Sequence, residues 1–67
     1  MTRLQIAWCF QDIRRAQGYI KAIRADLRER DDFGNCRLSY ADQLMASDEI
    51  AFQVAIIRRC RTALKSA

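Results

Sequence analysis

The sequence predicts an all-α fold: an antiparallel two-helix hairpin, over about residues 3–31 and 40–65, that pairs with a second copy into a four-helix bundle. Three observations carry this expectation. Apolar residues recur at alternating steps of three and four through the first half, a cluster of turn formers then interrupts them, and a second run of helical period fills the remainder. With no proline and only two glycines, the chain lacks the composition of a linker or a many-turned β-sandwich. Residues 1–67 are read as one helical-hairpin domain.

The first helix rests on Ile6, Cys9, Ile13, Ala16, Ile20, Ile23 and Leu27, an unbroken coiled-coil-like seam. Thr2 followed by Gln5 has the spacing of a capping box, in which each side chain satisfies an orphan amide of the first turn. The run Asp31-Asp32-Phe33-Gly34-Asn35 breaks the pattern. Gly34 or Asn35 is expected to take the left-handed conformation that closes the helix.

Ser39 with Asp42 marks a second start, after which Leu44, Ser47, Ile50, Ala51, Val54, Ile57 and Leu64 recur at helical spacing. Ser47-Asp48-Glu49 is a weaker internal cap signal, so a continuous helix is preferred over one broken there. Counting back from the turn sets Leu27 beside Leu44, Ile23 beside Ser47, Ile20 beside Ile50 and Ala51, Ala16 beside Val54, Ile13 beside Ile57, and Ile6 beside Leu64. Cys9 falls near Cys60, and two small, buried or half-buried free thiols are expected there rather than a disulfide.

The second helix carries a further apolar stripe of Ala41, Met45, Phe52, Ile56 and Ala63, which leaves Phe52 and Ile56 in water in a lone hairpin. Opposite the first seam lie Leu4, Ala7, Gly18, Ala22 and Ala25, mostly small enough for another backbone to approach. A chain of this length is marginal alone, so a homodimer is expected.

Twelve Lys+Arg against eight Asp+Glu gives a net charge of +4, which favours acidic partners. Arg14, Gln17, Lys21, Arg24 and Arg28 form a stripe along one flank of the first helix, and Arg58, Arg59 and Arg61 cluster near the end of the second. These cations suit an acidic protein surface or nucleic acid, the plain alternative being that they solubilise the bundle. Trp8 and Tyr19 flank the seam on one side and Phe10 on the other, where large aromatics either seal a core edge or anchor a partner. The candidate partner-binding set is Trp8, Tyr19, Arg15, Phe52 and Ile56.

Chemistry beyond binding has little to stand on. There is no histidine, no Gly-x-Ser-x-Gly, no glycine-rich phosphate loop, and Cys9, Cys36 and Cys60 show no CxxC spacing. The expectations are no enzyme, no metal, no cofactor and no small-molecule substrate, with the carboxylates read as solvated. No apolar run is long enough for a membrane span and no signal-peptide core follows the N-terminus, so the expected setting is cytoplasmic with reduced thiols.

The seam of Ile6, Ile13, Ile20 and Leu27 and the hairpin layout resemble the Rop-type RNA-binding regulators of plasmid copy number, short helical hairpins that dimerise into four-helix bundles. The resemblance is one of layout and carries no functional residue across. Size and style are also similar to small helical accessory proteins of phages and mobile elements that inactivate a host regulator by covering its working surface. The function expected is a non-enzymatic regulator that binds and inhibits or modulates another protein. The alternative is a Rop-like dimer that binds RNA or DNA through the arginine-rich face.

Overall fold

The computed structural model describes residues 1–66 and contains two α-helices, α1 (Arg3–Arg28) and α2 (Tyr40–Lys65), packed antiparallel as a hairpin. The molecule is a rod of 52 × 15 × 13 Å. α1 begins with the capping box: the Thr2 hydroxyl accepts from the Gln5 amide at 3.1 Å, and the Gln5 side chain accepts from the Thr2 amide at 2.9 Å. α2 begins at Ser39, whose hydroxyl accepts from the Asp42 amide at 3.1 Å. It runs through Ser47-Asp48-Glu49 without interruption.

α1 ends three residues earlier than about residue 31, and not by the expected left-handed cap. Glu29 caps the helix with extended backbone (φ −60°, ψ 137°). The Arg30 guanidinium then donates to the Leu27 carbonyl at 2.7 Å, satisfying one of the orphan acceptors of the last turn. Arg30 and Cys36 form an isolated antiparallel bridge. At its tip the Asp31 carboxylate accepts from the amides of Phe33 and Asn35, both at 2.9 Å, and Gly34 takes φ 81°. The positive φ expected of this cluster therefore lies in the connection, where it serves a small turn instead of the helix end. Asp31, read as a solvated carboxylate, is the organiser of that turn.

Every seam residue of α1, from Ile6 to Leu27, is buried or half-buried, and every other α1 residue is exposed. On α2 the side toward α1 is Gln43, Ala46, Ile50, Gln53, Ile57, Cys60 and Leu64, again at alternating steps of three and four. This corrects the expected α2 seam in three places: Leu44, Ser47 and Ala51 are exposed, and Gln43, Ala46 and Gln53 occupy the buried stripe. Gln53 lines the same groove as Ala16, while Val54 packs from beside the row against the central cluster that contains Ala16. Ala16, Ile20 and Ile57 form the centre, with Ile13, Ile50, Val54 and Ile56 packed against it.

The polar seam positions are satisfied. Gln53, 7% exposed, donates to the Glu49 carboxylate one turn earlier at 2.8 Å, and Gln43 donates to the Leu38 carbonyl at 3.0 Å.

Candidate functional site

A two-helix rod has two long flanks, one on each side of the plane containing its axes. With about 100° between successive residues, the steps along each helix decide which flank a side chain joins. Two open grooves mark the first flank. One is lined by Asp12, Arg15 and Tyr19 of α1 with Ile56 and Arg59 of α2. The other, toward the helix termini, is lined by Trp8 and Asp12 with Ala63. Asp12 belongs to both grooves, so Trp8 and Tyr19 stand on one continuous surface. Phe52 and Met45 extend it along α2 by their spacing from Ile56.

Trp8, Tyr19 and Phe52 are each more than half exposed, which is unusual for side chains carrying this much apolar area. Ile56 differs from its expected place in water. It is half-buried and packs against the central cluster, because α1 covers the inner edge of the α2 stripe. Phe52, further out, remains exposed. Arg15 lines the groove with Tyr19 rather than the one with Trp8. Four of the five candidate partner-binding residues thus present free side chains, and Ile56 forms the half-buried floor between them.

The second flank is basic. Gln17, Lys21, Arg24 and Arg28 line a shallow groove beside Ile20 on α1. Arg14 continues that row toward the N-terminus, and all four cations are exposed. By helical spacing Arg58 and Arg61 project from α2 on this same side. Arg59 does not join them; it lines the aromatic groove opposite. The grouping of Arg58, Arg59 and Arg61 as one cluster is therefore corrected, since consecutive helical residues point in directions about 100° apart.

The helical carboxylates have the opposite distribution. Asp12 lines the aromatic grooves, Glu49 is drawn to that side by Gln53, and Asp26, Asp42 and Asp48 step around to the same side or outward. No helical Asp or Glu among the described residues falls on the basic flank.

The Cys9 and Cys60 thiols meet between the helices near the open end of the hairpin, and both are free. Burial pushes the Cys60 thiol pKa up, helped by the neighbouring Cys9 and the Asp12 carboxylate and opposed by Arg59. A raised pKa keeps Cys60 protonated and lowers its reactivity as a nucleophile. Cys36, in the connection, lies 3.5 Å from the Leu27 carbonyl as a weak donor. Among the described residues no three His, Cys, Asp or Glu side chains gather to hold a metal ion, and no helix is long and apolar enough to cross a membrane.

Sequence reasoning missed Gln53, Asp31 and the flank of Arg59. The Asp-x-x-Gly spacing at residues 31–34 was a usable signal for the Asp31 turn. Gln53 gave none, because burial of a glutamine follows from register and not from its own hydropathy. No protein-family model, curated protein or solved structure matches this chain.

Proposed function

We propose that this chain is a small non-enzymatic regulator that forms a homodimer and binds another protein so as to inhibit or modulate it. The observation that carries the reading is the aromatic flank, where Trp8, Tyr19 and Phe52 stay exposed beside Arg15 and Arg59. Aromatic and arginine side chains around an apolar floor have the composition of an interface centre.

The core also supports association. Among the described residues the buried apolar ones are Ala16, Ile20, Ile57 and Cys60, while ten large hydrophobic side chains stand half or more exposed. A hairpin with so small a core is marginal by itself, and a second copy laid against Tyr19, Phe52 and Ile56 completes a four-helix bundle. Trp8, at the open end, then remains for the regulated protein.

Sedimentation equilibrium tests the dimer, with a folded monomer at micromolar concentration as the contrary result. Phe52→Ala is expected to weaken self-association about tenfold or more. Trp8→Ala is expected to preserve the dimer and lose capture of the target protein from a nuclease-treated lysate. Undiminished capture by Trp8→Ala, Arg15→Ala and Phe52→Ala alike would reject this surface.

A further inference from the structure

We infer that the basic flank is a second interaction surface, and that its occupant is an amphipathic helix of another protein whose apolar stripe is bordered by Asp and Glu on both sides. This surface is independent of the aromatic flank, which lies on the opposite side of the rod.

The first support is an apolar band set among the cations. Tyr40, Leu44, Val54, Arg58 and Arg61 step along α2 on the side away from Ile56 and Arg59. Tyr40 is 76% exposed and Leu44 50%, while Val54 is half-buried against the central cluster. On α1 the same side carries Phe10, 54% exposed, followed by the cationic row. Because the helices are antiparallel, Tyr40 and Leu44 at the start of α2 lie beside Arg24 and Arg28 at the end of α1. Phe10 follows Cys9, whose thiol neighbours Cys60, so it lies across from Arg58 and Arg61. The apolar side chains therefore run obliquely, from α2 at the connection to α1 at the open end, with cations on both sides of the band. An apolar centre inside a charged rim is the layout of a protein interface, and bare phosphate backbone has nothing to place on the centre.

The second support is charge complementarity. No helical carboxylate falls on this flank among the described residues. A solubilising surface mixes both signs, whereas a single sign raises the potential for an acidic partner. Among the described residues, the arginine guanidinium that makes hydrogen bonds is that of Arg30, in the connection. The arginines of the flank are therefore available to carboxylates, which their planar fork meets bidentately.

The third support is the direction of the band. It crosses from one helix axis to the other, about 8–10 Å, over a length of about 30 Å. That inclination is about 20°, the size of the crossing angle at which one helix packs along another. A helix of about 20 residues spans the same length, and its apolar stripe would lie along the band with its borders against the cations.

The test is fluorescence anisotropy of the full chain with a labelled synthetic helix of about 20 residues, carrying Leu and Phe along one stripe and Glu on both its borders. Binding is expected at about 10 μM or tighter, and at least about tenfold weaker for a peptide of the same composition scrambled so that no stripe forms. Leu44→Ala and Phe10→Ala are each expected to weaken binding about tenfold. Arg24→Gln is expected to lower affinity about threefold and to reduce its dependence on salt. Leu4→Ala, at an exposed position away from both flanks, and Arg37→Gln, in the connection, are expected to change affinity less than about twofold. Circular dichroism confirms that the variants keep their helix, which alanine and glutamine at exposed positions support. No binding of the striped peptide, equal binding of the scrambled one, or equal losses in Leu4→Ala and Arg37→Gln would overturn the inference. Tighter binding to an RNA duplex or to phosphatidylserine vesicles would do the same. So would weaker self-association of Leu44→Ala in sedimentation equilibrium, which assigns the band to a second copy of the chain.

Discussion

The two helices are equal in length and pack against each other along matching rows, yet they use those rows differently. α1 buries one row of apolar and small residues and leaves everything else exposed. α2 puts two glutamines into its buried row and carries half-buried Val54, Ile56 and Ala63 beside it. The first helix therefore has one packing face. The second spreads its apolar content over a wider arc than one partner helix covers, and the surplus on the Ile56 side, with Phe52 outermost, becomes part of the aromatic flank. Where apolar residues exceed what a single neighbour buries, the excess points to association.

The sharpest way to break this comparison is at the shared centre. Ile20→Ala and Ile57→Ala remove equivalent volume from the same cluster, and each is expected to cost about 2–4 kcal/mol, enough to unfold a domain this small. Thermal denaturation followed by circular dichroism reads the loss. A much smaller loss for Ile57→Ala would mean that α2 repacks on its wider apolar arc.

Gln53→Leu addresses the polar interruption on α2. Replacing a buried, hydrogen-bonded amide with an apolar side chain of similar size is expected to raise stability by about 1–2 kcal/mol in urea denaturation. Its cost is expected in specificity, as a polar residue in a seam helps fix register. A destabilised variant would instead show that the Gln53–Glu49 pair holds the centre of the hairpin.

Gly18 tests the outer side of α1. It lies within the helix, and an added Cβ meets nothing within 4 Å. Gly18→Ala is expected to stabilise the chain by about 1 kcal/mol through helix propensity. A loss in a concentration-dependent melt would reveal that another backbone packs there on self-association.

The smallest effect concerns the thiols. Cys60 has a folded pKa raised above the ordinary thiol value of 9.0, so the fold favours its neutral form. That contribution is complete below the ordinary value and is lost as pH rises through the folded pKa, because the unfolded chain ionises first. Urea midpoints are expected to fall on the alkaline side, and Cys60→Ala is expected to flatten that slope relative to the parent chain.

The amino-acid sequence by itself determined the hairpin, both helix starts and the whole α1 row. These follow from local rules: a cap residue beside the amide it satisfies, and a period that recurs without competition. The tertiary structure decided the α2 row, the end of α1 and the division of the arginines. Leu44 is more apolar than Gln43, yet its direction is fixed by the register that Ile50, Ile57 and Leu64 impose on a rigid helix, so Gln43 turns inward. The Arg30 contacts and the Asp31 turn stop α1 one residue past Leu27, the last of its apolar row, since they satisfy the backbone in another way. The separation of Arg59 from Arg58 and Arg61 becomes meaningful once α1 supplies the plane that divides the rod. A periodic pattern describes one helix, and a flank is a property of two.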